Sequence, residues 1–138
     1  DEPFCSQVHS LMQMSGAAQN LTHPASLAEA LTLIAASPIV VSMRLHALIF
    51  AALVGTPCVA VACDAKLRIL MESLGLASFA LPLDPDMQPE MFVTTCLRSI
   101  EEHRQRRAEI GDRVQRLRDQ AWRLQELLRH FLDLCGAR

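Results

Sequence analysis

In the segment VSMRLH, Ser42, Arg44 and His46 stand at alternate positions where a run of β-branched residues hands over to an apolar helical pattern. That handover is the edge at which open α/β sheets bind their ligands. A helix N-terminus carries partial positive charge, so a cation in or just before its first turn costs a few tenths to about 1 kcal/mol. An anion held between the Arg44 guanidinium and the free backbone N–H groups offsets that cost, as a phosphate or carboxylate does. Ser42 can cap the helix or donate to the same anion. If residues 42–46 stay extended, the three side chains point the same way. The His46 imidazole can deliver a proton near neutral pH, although a lone histidine beside an apolar helix is as often a satisfied core residue.

The next strand-to-helix junction repeats the anomaly. In CDAK, Lys66, the sole lysine of the chain, again falls in a first helical turn. Arg44 alone reads as a partner in a surface or structural ion pair; two cations set against two helix dipoles at one sheet edge read as an anion site. Asp64 reads first as an N-cap, with orientation of Lys66 or His46 as a second role. His9, His23, His103 and His130 have no metal-ligand spacing, so neither a metal nor a cofactor is expected. No G-x-G-x-x-G, Walker loop or nucleophile elbow occurs, which removes support from nucleotide and serine-hydrolase readings.

The elements that position these residues follow from periodicity. Residues 4–14 carry apolar positions at helical spacing with Gly16 to end them, and residues 17–21 are a weak strand candidate. Ser26 and Glu29 form a capping box before a helix that runs to about Ala36, closed by Pro38. Residues 39–41 are consecutive β-branched residues, as in a central parallel strand covered on both faces. Residues 45–54 read as a buried crossover helix ending at Gly55-Thr56-Pro57, and CVAVAC at 58–63 as a second two-sided strand. A helix with Leu67, Leu70, Met71 and Leu74 follows, Gly75 takes its left-handed C-terminal position, and residues 79–83 form a last short strand.

This alternation predicts a doubly wound, Rossmann-like α/β fold with a parallel sheet. A chain that opens on a helix and offers three or four strands is expected to be incomplete at its N-terminus. The expected division is an α/β domain over residues 1–97 and a C-terminal helical extension over 98–138 packing on it. Residues 98–138 hold ten Arg and seven acidic residues and read as a solvated helical region. Within it Ile110, Val114, Leu117, Ala121, Leu124, Leu128, Phe131 and Cys135 step by four and three, a narrow seam. A terminal helix lying on its own domain explains the seam; self-association through residues 109–135 and a dock for a further domain are the alternatives.

The chain has 138 residues, 51% hydrophobic and 20% charged, enough for one folded domain with a real core. A net charge of −2 gives no general pull towards nucleic acid, and one Trp, five Phe and no Tyr leave few platforms for stacking bases. The five cysteines are odd in number and form no C-x-x-C pair, so reduced thiols suited to the cytoplasm are expected. Residues 1–4 are acidic where a signal peptide is basic. Residues 47–63 are the most membrane-like stretch, but Gly55, Thr56 and Pro57 divide them into runs too short to span a bilayer.

SMRLHALIFAALVGTP followed by CDAK resembles the polysaccharide pyruvyl transferase family, whose pattern is S/G-M-R-L-H, an apolar helix, a G-x-P turn and a strand into Y-D-P-K. The similarity covers about residues 21–76. It implies the donor-binding half of a two-domain enzyme arranged like GT-B glycosyltransferases. Arg44 and His46 would hold and protonate phosphoenolpyruvate, with Lys66 supporting its charge and Ser42 and Asp64 completing the binding set. The acceptor would be a hydroxyl pair on a cell-surface polysaccharide or its lipid-linked precursor, which extends the expected location to the inner face of the membrane. Cys63 and Ala65 replace the family's Tyr and Pro, losing a phenol and a rigid helix start; without the acceptor domain, this piece is expected to be inactive alone. Two other functions fit the same residues: a GT-B-like glycosyltransferase or epimerase domain binding a nucleotide-sugar, and a helical assembly module without catalysis.

Overall fold

The computed structural model describes residues 26–62 and 64–136, together with Gln7 and Ser10. The expected helix at 4–14, apart from those two residues, and the weak strand at 17–21 lie outside the described residues.

Helix α1 (Leu27–Ala36) starts where the capping box places it, the Glu29 N–H donating to Ser26 Oγ at 3.2 Å. The Ser37 N–H closes it on the Ile34 carbonyl, and Pro38 prevents continuation. Strand β1 (Val40–Ser42) leads into α2 (Leu45–Val54), which ends at Gly55 with φ 75°. There the Thr56 N–H reaches back to the Ala51 carbonyl at 2.9 Å, a closure that needs the left-handed glycine. Thr56 Oγ1 donates to the Ile34 carbonyl at 2.9 Å and so ties this turn to the end of α1.

Strand β2 (Cys58–Ala62) is followed by α3 (Ala65–Ser73), a single 3-10 turn (Ala77–Phe79) and β3 (Ala80–Pro82). Gly75, at φ 72°, holds the left-handed position after α3 that its sequence context predicts. The three strands form one parallel sheet in the order β1-β2-β3, with Val41 opposite Val59 and Val61 opposite Leu81. Parallel strands joined through helices are the α/β arrangement expected, with a long C-terminal helix added.

Two-sided burial falls on β2, not on β1. Cys58, Val59, Ala60 and Ala62 are buried, whereas Val41 in β1 is 40% exposed. Among the described residues β1 is an edge strand with one neighbour, while β2 has a strand on each side and α2, α3 and α4 packed on it. The β-branched run at 39–41 enters strand β1, as its β propensity predicts, and β1 has β2 as its one neighbour among the described residues. The core is Leu48 and Ala51 of α2, the β2 residues, Leu67, Met71 and Leu74, and Leu76, Phe79 and Leu81.

Helix α4 (Pro89–Gln105) corrects the solvated reading of the C-terminal region. Thr95, Ser99 and His103, four residues apart, are buried on one face, and Ser99 Oγ donates to the Cys58 carbonyl at 3.0 Å. Small side chains on both surfaces let this helix approach the sheet closely, where its hydroxyls find backbone acceptors. Helix α5 (Arg107–Gly136) follows after Arg106, whose backbone (φ −105°, ψ 17°) interrupts the helix. Its first turns dock: Ile110 is buried, and Val114 and Leu117 pack against the core. Glu109 accepts from both Arg106 and Arg113, which holds its carboxyl down at about 2, and Arg106 also donates to the Gly75 carbonyl at 3.2 Å.

Candidate functional site

The two cation-bearing junctions stand side by side. Because β1 and β2 are parallel neighbours, with Ser42 opposite Ala60, the turn after Ser42 and the turn after Ala62 emerge at the same edge. Adjacent strands lie about 4.8 Å apart, so residues at these turns are near neighbours across one gap.

Ser42 does not cap α2. Its Oγ accepts from the Arg44 N–H at 2.9 Å and donates to the Arg44 carbonyl at 3.3 Å, a tight local turn that sets the direction of Arg44. Arg44 is itself the N-cap residue, with extended backbone (φ −100°, ψ 123°), and its side chain makes no capping bond. The first turn of α2 holds no acidic residue. Among the described residues no side chain caps the start of this helix, the condition under which a bound anion is most useful. His46 lies in that first turn, exposed, its ring 6.5 Å from that of Phe50 and tilted by 41°.

The second junction is built differently. Asp64 is the N-cap of α3, its Oδ1 accepting from the Leu67 N–H at 3.1 Å. That carboxylate serves the helix backbone, and Lys66 sits exposed in the turn it caps. The helix anchors inward through Leu67 and Met71, which are buried.

Periodicity passed over a third junction. After β3 the chain runs through Asp84 and Asp86, where Asp84 Oδ1 accepts from the Asp86 N–H at 2.9 Å. Both residues are exposed, and β3 flanks β2 on the side away from β1. An anion at this edge would be repelled by these carboxylates and attracted towards the turns after β1 and β2, which bear Arg44 and Lys66. The signal for it in the sequence is the acidic string Asp84-Pro85-Asp86 directly after the strand at 79–83. Among the described residues no group of three or more His, Cys, Asp or Glu is placed to hold a metal ion. No helix among them is long and apolar enough to cross a membrane.

No curated protein and no solved structure matches this chain. One family model does match: that of polysaccharide pyruvyl transferase, over residues 7–65, a span that includes Ser42, Arg44, His46 and Asp64, stops one residue short of Lys66, and supports the family that the SMRLH and CDAK segments resemble.

Proposed function

We propose that this chain binds phosphoenolpyruvate for pyruvyl transfer to a polysaccharide or its lipid-linked precursor. The observation that carries the reading is the pair of neighbouring strand-to-helix turns bearing Arg44 and Lys66, with no side-chain cap on the α2 start among the described residues, inside and directly after the stretch that matches the family. Arg44 forks onto the donor carboxylate or phosphate, the α2 N–H groups share that charge, and Lys66 balances the rest.

Chemistry at this edge needs one acid. Protonation of the enol methylene by the His46 imidazolium turns the neighbouring carbon into an oxocarbenium centre. A sugar hydroxyl adds there, inorganic phosphate leaves with its bonding electrons, and a second hydroxyl closes the cyclic ketal, each hydroxyl giving up its proton. His46, exposed in the α2 first turn, is the acid; Arg44 and Lys66 hold the growing charge on the phosphate.

Calorimetric titration with phosphoenolpyruvate tests the reading. Arg44→Ala is expected to cost about 2 kcal/mol, near 30-fold in Kd, the usual worth of a charge-assisted hydrogen bond. Equal affinity of variant and parent rejects the site. Titration with a UDP-sugar distinguishes the nucleotide-sugar function: tighter binding of that ligand, lost in the same variant, assigns the edge to glycosyl transfer instead.

A further inference from the structure

The distal half of α5 carries its hydrophobic residues into open space. Leu124, Leu127, Leu128, Phe131 and Leu132 are each between 54% and 66% exposed. Taking about 200 Å² for a fully exposed large apolar residue, these five present roughly 600 Å², at the upper limit for a monomer's surface patch. The patch continues into an apolar groove of about 370 Å³ between α2, α3 and α5, lined by Ile49, Leu53, Leu70, Leu74, Leu117 and Ala121 among others. Seam and groove together approach the roughly 800 Å² per partner of a standard stable interface.

We infer that this surface is covered by α5 of a second copy of the same chain, packed antiparallel. Ile110, Val114 and Leu117 spend the proximal seam on the chain's own core. From Ala121 to Phe131 the same heptad stripe is exposed among the described residues. Its flanking positions are Gln120, Gln125, Leu127 and Leu132, none charged, while Arg123, Glu126, Arg129, His130 and Asp133 fall on the opposite face. A helix with uncharged flanks on both sides of its stripe fits a copy of itself.

Register follows from size. Antiparallel pairing that sets Leu124 against Leu128 of the second copy also sets small Ala121 against Phe131 of the second copy, at the mouth of the groove. Leu127 meets its own counterpart on one flank and Gln125 on the other. Opposed helix dipoles favour this direction. Parallel pairing crowds two α/β bodies at one end, so bulk selects against it.

Sedimentation equilibrium of the full chain from 1 to 200 μM is the test, with the 15.3 kDa monomer as reference mass. A monomer–dimer equilibrium is expected. Leu128→Glu, at an exposed position that leaves the monomer's far-UV dichroism intact, is expected to raise Kd by at least about 30-fold, as loss of a central contact does. In a background with Cys5, Cys63, Cys96 and Cys135 replaced by Ser, the buried Cys58 being kept, a short bis-maleimide is expected to link Gln125→Cys copies to each other and to leave Ala121→Cys copies unlinked. A monomer at every concentration, as when residues 1–25 or another domain cover the seam, overturns the proposal. A dimer indifferent to Leu128→Glu does the same, and linkage through Ala121→Cys overturns the antiparallel register.

Discussion

Replacing Asp64 separates two jobs that one carboxylate performs at the candidate site. Its Oδ1 accepts the Leu67 N–H at 3.1 Å and so caps α3, and its charge meets the positive end of that helix. The capping bond contributes about 1 kcal/mol and the charge a further few tenths to 1 kcal/mol. Asp64→Ala loses both, roughly 1.5 kcal/mol, which in a domain of this size lowers Tm by about 5 °C. Asp64→Asn keeps an acceptor oxygen and loses only the charge, with an expected shift of about 2 °C. Donor binding should move the other way. A carboxylate some 7 Å from a bound anion repels it by about 0.6 kcal/mol in water, so Asp64→Asn should tighten phosphoenolpyruvate binding about three-fold. Differential scanning fluorimetry and calorimetry on the same samples read both effects. If Asn destabilises as much as Ala, the capping bond is not what Asp64 contributes. If Asn weakens donor binding, Asp64 positions Lys66 or His46, and the repulsion argument fails.

Ser99→Ala removes a buried donor from the Cys58 carbonyl and should lower stability by about 1 to 2 kcal/mol, seen as a lower urea midpoint at unchanged slope. Burial lowers the pKa of His103 below its ordinary 6.5, its hydrogen bond to the Gly55 backbone opposes the shift, and nearby Arg107 adds to it. The unfolded chain therefore takes up that proton first, and stability should fall as pH drops below about 6.5; His103→Gln should flatten that part of a Tm–pH profile. Glu109, held at about 2 by Arg106 and Arg113 against an ordinary 4.5, stabilises the fold above pH 4.5, and its contribution should disappear as pH falls through about 2. Glu109→Gln should remove that acid limb, as urea titrations across the range can show.

Local chemistry made much of this fold legible before any coordinates. Ser26 with Glu29, Gly55 before Pro57, and Gly75 after Leu74 each announce an end of a helix, because caps and left-handed turns depend on neighbouring residues alone. The run Cys58–Ala62 announced a strand covered on both sides. Residues 39–41 gave a similar signal and have one strand neighbour among the described residues, since β-branching reports a strand and says nothing of how many neighbours it has. The buried face of α4 was hidden for a different reason. Thr95, Ser99 and His103 look solvated by composition, and only the Cys58 carbonyl on the sheet beneath explains how Ser99 can be buried. At the candidate site, the residue types and the two junctions were readable, but the division of labour was not. Ser42 serves its own turn and Arg44 occupies the cap position, distinctions set by backbone dihedrals that spacing does not encode.

The α4–α5 junction lies beside Gly55, at the foot of the strands, whereas Arg44 and Lys66 crown their opposite ends. The exposed stripe that begins at Ala121 shares no residue with the set Ser42, Arg44, His46, Asp64 and Lys66. Stoichiometry and ligand affinity should vary independently, so that a tail lesion which splits the complex leaves the titration curve for the donor where it was.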